Sequence, residues 1–301
     1  MTDKVGKKPY LGIIIDYDRE NNLDKFSLDT LKDRYFWKEE THAQEALARA
    51  SVFGATFKGI TNFDLAQRLY EYSSNFWFMF STPILSNGGT SRGLPISCFL
   101  NYVPDSRQGL SDHYDENIWL ASHGGGIGGY WGDIRSNGIS TRHGSKSTGS
   151  IPFMHVVDSQ MLAFNQGVTR RGSYAAYMDI SHPEIEEFIN MRKESGGDIH
   201  RKCLNLHNGI NLTNEFLEAV KNDDEWRLID PKTKQAVKSV DARYLWWQII
   251  DARAETGEPY MINIDTCNEH LPDSLKDLGL EIRQSNLCSE ITLATDEERT
   301  A

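Results

Sequence analysis

Near its carboxyl end the chain reads Gln284-Ser285-Asn286-Leu287-Cys288-Ser289-Glu290. A thiol stands two residues from an amide on one side and two from a carboxylate on the other. In an extended segment alternate side chains share a side, so Asn286, Cys288 and Glu290 would face one cavity together. On a helix Cys288 would face away from the other two. A thiol flanked by a proton acceptor and a hydrogen-bonding amide is equipped for catalysis. The plainer alternative is a small apolar cysteine packed in a buried strand.

Other residues could bind ligands. Gly124-Gly125-Gly126-Ile127-Gly128-Gly129 follows a helical pattern and reads first as a flexible turn. Such a loop would also let a ligand approach backbone amides. No GxGxxG follows an early strand with an acidic residue about 20 positions on, so a dinucleotide-binding dehydrogenase is poorly supported. Basic residues cluster at Arg135 to Lys146 and at Arg170-Arg171. His200, Cys203 and His207, with Cys267 and His270, could build a structural zinc site, but their spacing fits no common finger. Metal ligands are therefore not expected.

These residues need elements to hold them. Tyr10 to Ile15 reads as one strand. Ser27 or Asp29 can cap a helix to Tyr35, Thr41 opens one through Phe53, and Asp64 to Phe80 gives a third. Residues 1–80 thus read as a mainly helical region, and residues 81–301 as a second region. In the second, strands are expected at Ile96–Leu100, Tyr174–Ile180, Gly209–Leu212 and Tyr260–Ile264. Ser181 to Glu184 reads as a capping box with Pro183 in the first turn. Thr213 caps a helix, and Ser239 or Asp241 caps another that ends at Gly257. Strand-helix alternation of this kind predicts an α/β fold with parallel strands.

Composition bounds the function. Hydrophobic residues make up 39% and charged residues 25% of the 301 positions, as in a globular protein with a sizeable core. No apolar run approaches the roughly 20 residues of a membrane span, and the amino terminus lacks a secretory apolar region. The formal charge of −11 disfavours a general nucleic-acid binder, though local basic clusters could still hold nucleotide phosphates. Cys98, Cys203, Cys267 and Cys288 form no CxxC pair, which suits a reducing cytoplasm.

The string from Gln284 to Glu290 resembles the active-site loop of ribonucleotide reductase large (alpha) subunits of class I type. Further stretches resemble the same family in the same order: Ser81-Thr82-Pro83-Ile84 with Ile96-Ser97-Cys98, Gly125 to Gly128, Gly167 to Ala176, and Gly257 to Tyr260 with Asn263 and Asp265. The resemblance runs from about Thr41 to Glu290. It implies an α/β fold of a particular kind: the first half of a ten-stranded α/β barrel, with the cysteine on a finger loop inside, preceded by a small helical region.

The resemblance also implies roles. Cys288 would carry a transient thiyl radical, Glu290 would act as general base, and Asn286 would orient the sugar. Cys98 would be one of two reductant thiols. Thr82, Ser97 and Gly126 would contact a ribonucleotide substrate. Asp105, Ser106, Arg107, Arg135 and Arg142 would hold a nucleoside triphosphate effector, and the loop with Gly167, Arg170 and Arg171 would report its base. Implied partners are a radical-generating small (beta) subunit containing a metal, thioredoxin or glutaredoxin, and a second copy in a homodimer. The family's second redox cysteine, radical-relay tyrosines and mobile tail have no counterpart in these 301 residues. The expectation is therefore a split or truncated subunit that needs the carboxyl-terminal half for activity, without an ATP cone. A noncatalytic paralogue or assembly-only fragment that keeps the fold is the alternative.

Overall fold

A computed structural model describes residues 5–141, 144–164 and 172–301. Arg142, Gly167, Arg170 and Arg171, all expected at ligand sites, lie outside the described residues. The chain forms two compact units, one up to Ser97 and one from Cys98 to Ala301.

The first unit opens with a hairpin of β1 (Lys7–Tyr10) and β2 (Ile13–Asp16). The single strand expected over Tyr10–Ile15 is thus two strands. Leu11 and Gly12 take positive φ values of 47° and 83° and reverse the chain there. A 3-10 turn, α1 (Lys25–Arg34) and α2 (Ala43–Gly54) follow. After the two-residue strands β3 (Thr56–Phe57) and β4 (Ile60–Thr61) come α3 (Phe63–Ser74) and α4 (Thr82–Asn87). α3 stops short of the expected Phe80 because Asn75 caps it and Phe76 turns to φ 59°. α2 is the buried axis of this unit. Its Arg49 pairs with Glu40 at 2.6 Å and donates to the carbonyls of Gly88 and Leu85, which satisfies a charge pair that burial would otherwise penalise.

The second unit is a five-stranded parallel sheet in the order β11-β8-β7-β6-β5. Its strands are β5 (Cys98–Tyr102), β6 (Gly126–Tyr130), β7 (Ser173–Asp179), β8 (His207–Leu212) and β11 (Tyr260–Asn263). The crossovers carry α5 (Arg107–Ser122), α6 (Ile151–Ala163), α7 (Ile185–Asn190), α8 (Asn214–Asn222) and α9 (Ala242–Thr256). An antiparallel hairpin of β9 (Glu225–Ile229) and β10 (Ala236–Asp241) sits between α8 and α9. The short α10 (Ile264–Glu269) and α11 (Asp273–Lys276) lead to the finger.

Two sequence readings change here. The glycine run is no turn: Gly126 to Tyr130 is a fully buried inner strand between β5 and β7. The capping box at Ser181 does not form. α7 begins at Ile185, and the Glu184 carboxylate instead accepts from the Ser150 N–H at 2.8 Å and from Arg201 at 3.2 Å.

The sheet has two faces of different character. Phe99, Ile127, Tyr174, Met178 and Ile210 pack outward into the main core beneath the helices. The alternate residues, among them Tyr130, Ala175, Tyr177 and Ile262, form a smaller inner cluster joined by Leu287 of the finger. Strand alternation thus assigns one face to stability and leaves the other to hold the finger.

Candidate active site

The finger crosses the inner face of the sheet. Its stem is fixed by Gln284, fully buried, whose amide donates to the Asn101 carbonyl at 2.9 Å and to Thr295 Oγ1 at 2.9 Å. Beyond the stem Ser285 and Asn286 lie directly on Gly128. A Cβ at Gly128 would stand 1.8 Å from the Ser285 carbonyl oxygen. The missing side chain is what admits the finger, which gives one glycine of the run a physical purpose.

The tip is a turn and not the extended segment expected from alternation. The Ser289 N–H donates to the Asn286 carbonyl at 3.2 Å, and Ser289 has φ 69°. Asn286 builds this turn. Its Oδ1 accepts from the Glu290 and Ile291 N–H groups, each at 3.1 Å, and its own N–H donates to the Ile291 carbonyl at 3.1 Å. Those two backbone donors identify Oδ1, so the other amide atom is Nδ2. Nδ2 is buried and meets no acceptor of the chain. The Asn286 carbonyl also accepts from the Tyr177 hydroxyl at 2.6 Å. The turn leaves Cys288 and Glu290 exposed while Asn286 is wholly buried. The three residues therefore differ in burial instead of sharing one extended edge.

Two tyrosines that the sequence reading did not single out frame the tip. Burial pushes the Tyr177 phenol above its ordinary range. Burial raises the phenol of Tyr260, the first residue of β11, and the charge of Glu258 adds to the rise. The Tyr260 ring stacks on His207, 6.1 Å between centroids and 5° from parallel, and His207 Nδ1 is bound to Glu258. Among the described residues no group of three or more His, Cys, Asp or Glu could hold a metal ion. Signals for Tyr177 and Tyr260 existed only in strand alternation, which does not say which face carries chemistry.

Cys98 begins β5, half-buried, directly opposite Gly126 in register. Both stand at the amino ends of the parallel strands, as does Tyr260. A cavity of about 560 Å³ opens at the opposite end, lined by Asp179, Asn211, Thr213 and Arg283. Open α/β sheets usually bind ligands at the carboxyl ends. Neither Cys98 nor Cys288 lines that cavity.

Of the expected effector residues, Asp105 and Ser106 line a separate cavity of about 310 Å³. Arg107 is the first residue of α5, whose N-cap Ser106 accepts from the Gly109 N–H at 2.9 Å. Arg135 does not stand free: its guanidinium holds Asp105 at 2.9 Å. Its loop is anchored by Asp230, which accepts from the Ser136 N–H at 2.8 Å, and by His182, bonded to the Ile134 carbonyl at 2.8 Å. Thr82, first residue of α4, and the buried Ser97 belong to the first unit.

A parallel α/β sheet with a cysteine-bearing finger across its inner face, preceded by a helical unit, defines the architecture of ribonucleotide-reducing barrels. The sequence matches the family model of the ribonucleotide reductase barrel domain over residues 96–301 and that of the all-alpha domain over residues 21–93. The chain belongs to the ribonucleotide reductase large-subunit family. It is 50% identical over 238 residues to a putative ribonucleoside-diphosphate reductase large subunit of Frog virus 3, covering 79% of this chain and 41% of that protein. It is 44% identical over 283 residues to the ribonucleoside-diphosphate reductase large subunit of Invertebrate iridescent virus 6, covering 92% and 28%. The solved alpha subunit of the Actinobacillus ureae class Id ribonucleotide reductase superposes with a TM-score of 0.75 at 30% identity, covering 93% of this chain and 48% of that one. The chain thus spans about half or less of the length of these relatives.

Proposed function

We propose that this chain carries the radical-bearing half of a ribonucleoside-diphosphate reductase active site, at the amino ends of its parallel strands. The observation that carries this reading is the finger turn. It presents an exposed Cys288 and spends Asn286 Oδ1 on the loop, yet leaves a buried Nδ2 without an acceptor. An unpaired buried amide costs about 1–3 kcal/mol, which a ribose hydroxyl accepting from Nδ2 would recover.

The chemistry follows from the groups. A thiyl radical on Cys288 removes the 3′-hydrogen, breaking C–H and forming S–H. Glu290 takes the 3′-hydroxyl proton as general base. With the 3′-position activated, the 2′-hydroxyl leaves as water on accepting a proton. Two thiols, Cys98 and one outside these residues, become a disulfide and supply two electrons. The two thiol protons end in the departing water and in the new 2′ C–H bond, Glu290 returns its proton to the 3′-oxygen, and Cys288 returns its hydrogen to the 3′-carbon and recovers the radical. The small subunit's metal centre supplies the initial oxidising equivalent; thioredoxin or glutaredoxin rereduces the disulfide. Within the second unit, Gly126 would line the substrate site.

A nucleoside triphosphate would be the effector, bound beside Asp105, Ser106 and Arg107. Arg135 and Arg142 would meet its phosphates, and the loop carrying Gly167, Arg170 and Arg171 would read its base. The working assembly would be a cytoplasmic homodimer of complete large subunits with the small subunit. Among the described residues no helix is long and apolar enough to cross a membrane.

Cys288→Ser tests the reading, with the remainder of a large subunit and a small subunit supplied. Oxygen replaces sulfur at similar size, but its O–H bond is too strong for this radical role. Nucleotide reduction should vanish while folding and effector binding persist. Turnover retained within about threefold, a barrier change of about 0.7 kcal/mol or less, would overturn the assignment.

A further inference from the structure

The finger must deliver Cys288 to one height above the sheet, and its base is held by a closed polar circuit. The Arg283 carbonyl accepts from Asn211 Nδ2 at 2.7 Å. The same Nδ2 donates to Asp179 Oδ1 at 2.8 Å. The other carboxylate oxygen, Asp179 Oδ2, accepts from the Tyr130 hydroxyl at 2.6 Å. The Tyr130 ring returns to the start, because the Arg283 guanidinium lies 5.8 Å from its centroid. A stacked Tyr102 ring lies 5.9 Å from the same guanidinium, and Asp133 pairs with it at 3.5 Å. One backbone carbonyl and one side chain of the same residue are thus gripped by the carboxyl ends of β6, β7 and β8.

We infer that Asp179, with Asn211 and Tyr130, is a positioning clamp for the finger, acting on Cys288 through Arg283. The inference rests on the reading of Cys288 as the reacting thiol. The leverage is geometric. Five residues separate Arg283 from Cys288, so the tip lies up to about 16 Å from its base. A tilt of about 4° at that base then moves the thiol by about 1 Å, a displacement that can cost about 10²-fold in rate. Gln284 is pinned on one side by Asn101 and Thr295. The clamp pins Arg283 from the other side, so the two together set the direction in which the finger leaves the sheet. Ordinary packing would need only apolar contact here. Instead, Asn211 and Tyr130 both meet a single residue of the finger, and Asp179 on the strand between them ties the two together.

The test compares Asp179→Asn and Tyr130→Phe, the second keeping the ring and removing only the hydroxyl. Amide exchange of the 301-residue chain is read at Glu290 and Ile291, whose N–H groups close the turn on Asn286. Both variants should speed exchange there by about tenfold or more, while β7 and β8 amides keep their protection. In the assembled enzyme kcat should fall by about tenfold with KM within about twofold, the signature of lost transition-state alignment. Unchanged finger exchange in both variants would overturn the clamp. So would strand amides that loosen together with the finger, since that outcome marks a merely structural role. If Asp179→Asn does not fold, Tyr130→Phe alone decides by the same readouts. A Cys288→Ser enzyme that still turned over would sink the reaction but leave the exchange result standing, so the two failures are distinguishable.

Discussion

Gly128 is where one methyl group should separate stability from catalysis. In Gly128→Ala the new Cβ would stand 1.8 Å from the Ser285 carbonyl oxygen and 2.9 Å from Asn286 Cα. Carbon contacts are comfortable at about 3.5–4.0 Å. Both obstacles are backbone, so no rotamer relieves them, and the finger must retreat by roughly 1.5 Å. Overpacking of this kind costs about 1–3 kcal/mol. Loss of the Tyr177 hydrogen bond to the Asn286 carbonyl adds about 0.5–1.5 kcal/mol. For a chain of this size that corresponds to a melting shift of roughly 2–7 °C. The same retreat misplaces Cys288 by more than about 1 Å, so kcat should drop by about 10² or more. Gly129→Ala is the control. Its Cβ would meet the Tyr174 hydroxyl at 1.7 Å on the opposite face, lowering stability without touching the finger. Melting curves, finger amide exchange and single-turnover reduction in the reconstituted enzyme read all three quantities. If Gly128→Ala turns over within about threefold of the unaltered enzyme, or loses no more kcat than Gly129→Ala at equal stability, the contact does not position the thiol.

Cys98→Ser should block multiple turnovers with dithiol reductants while 3′-hydrogen loss still begins; peptide mapping after one turnover of the unaltered enzyme should find Cys98 in a disulfide with a cysteine outside these residues. Full activity of the serine variant with Cys98 free after turnover would refute this. Arg135→Ala removes a charge-assisted contact worth ~1.5–3 kcal/mol, so effector binding should weaken by about tenfold or more. Substrate binding without effector should change little, and an unaltered effector dissociation constant would contradict the placement. Burial holds His113 neutral, with its pKa pushed down to about 3. The unfolded chain therefore takes up a proton that the folded chain refuses, and stability falls as pH drops below the ordinary histidine value of 6.5. The slope is up to about 1.4 kcal/mol per pH unit until about pH 3. His113→Asn should flatten that slope in urea unfolding between about pH 7 and 5; equal slopes would show that His113 is not the group responsible.

Much of the second unit could be read in advance. Tyr174–Ile180, Gly209–Leu212 and Tyr260–Ile264 are apolar runs, and each forms a strand within about two residues of its expected ends. Thr213 and Asp241 cap helices as their side chains suggest, accepting from Phe216 and Tyr244 N–H groups. The inner strand Gly126–Tyr130 escaped because glycine carries no strand preference and no side chain to alternate. Its strand character comes from ladders on both sides, to β5 and β7. The hairpin β9–β10 escaped because it is largely exposed and its apolar pattern is weak.

The identities and order of the chemical groups belong to the sequence alone. Cys288 between Asn286 and Glu290, with Ile96-Ser97-Cys98 and Gly125 to Gly128 earlier in the chain, carries the family resemblance. Those residues are legible because chemistry demands particular functional groups at particular intervals. Their mutual geometry is a different kind of fact. An amide two residues from a thiol shares its side on a strand, but Asn286 folds its own Oδ1 back onto Glu290 and Ile291 and makes a turn. Arg135 and Asp105 both read as effector residues, and only long-range folding joins them, 30 residues apart, in one ion pair. Arg283 became a finger anchor only when three strands brought Tyr130, Asp179 and Asn211 beneath it. Local spacing governs which groups are available within one segment. Which of them stay free and which are consumed by the fold is decided by contacts between residues far apart in the chain.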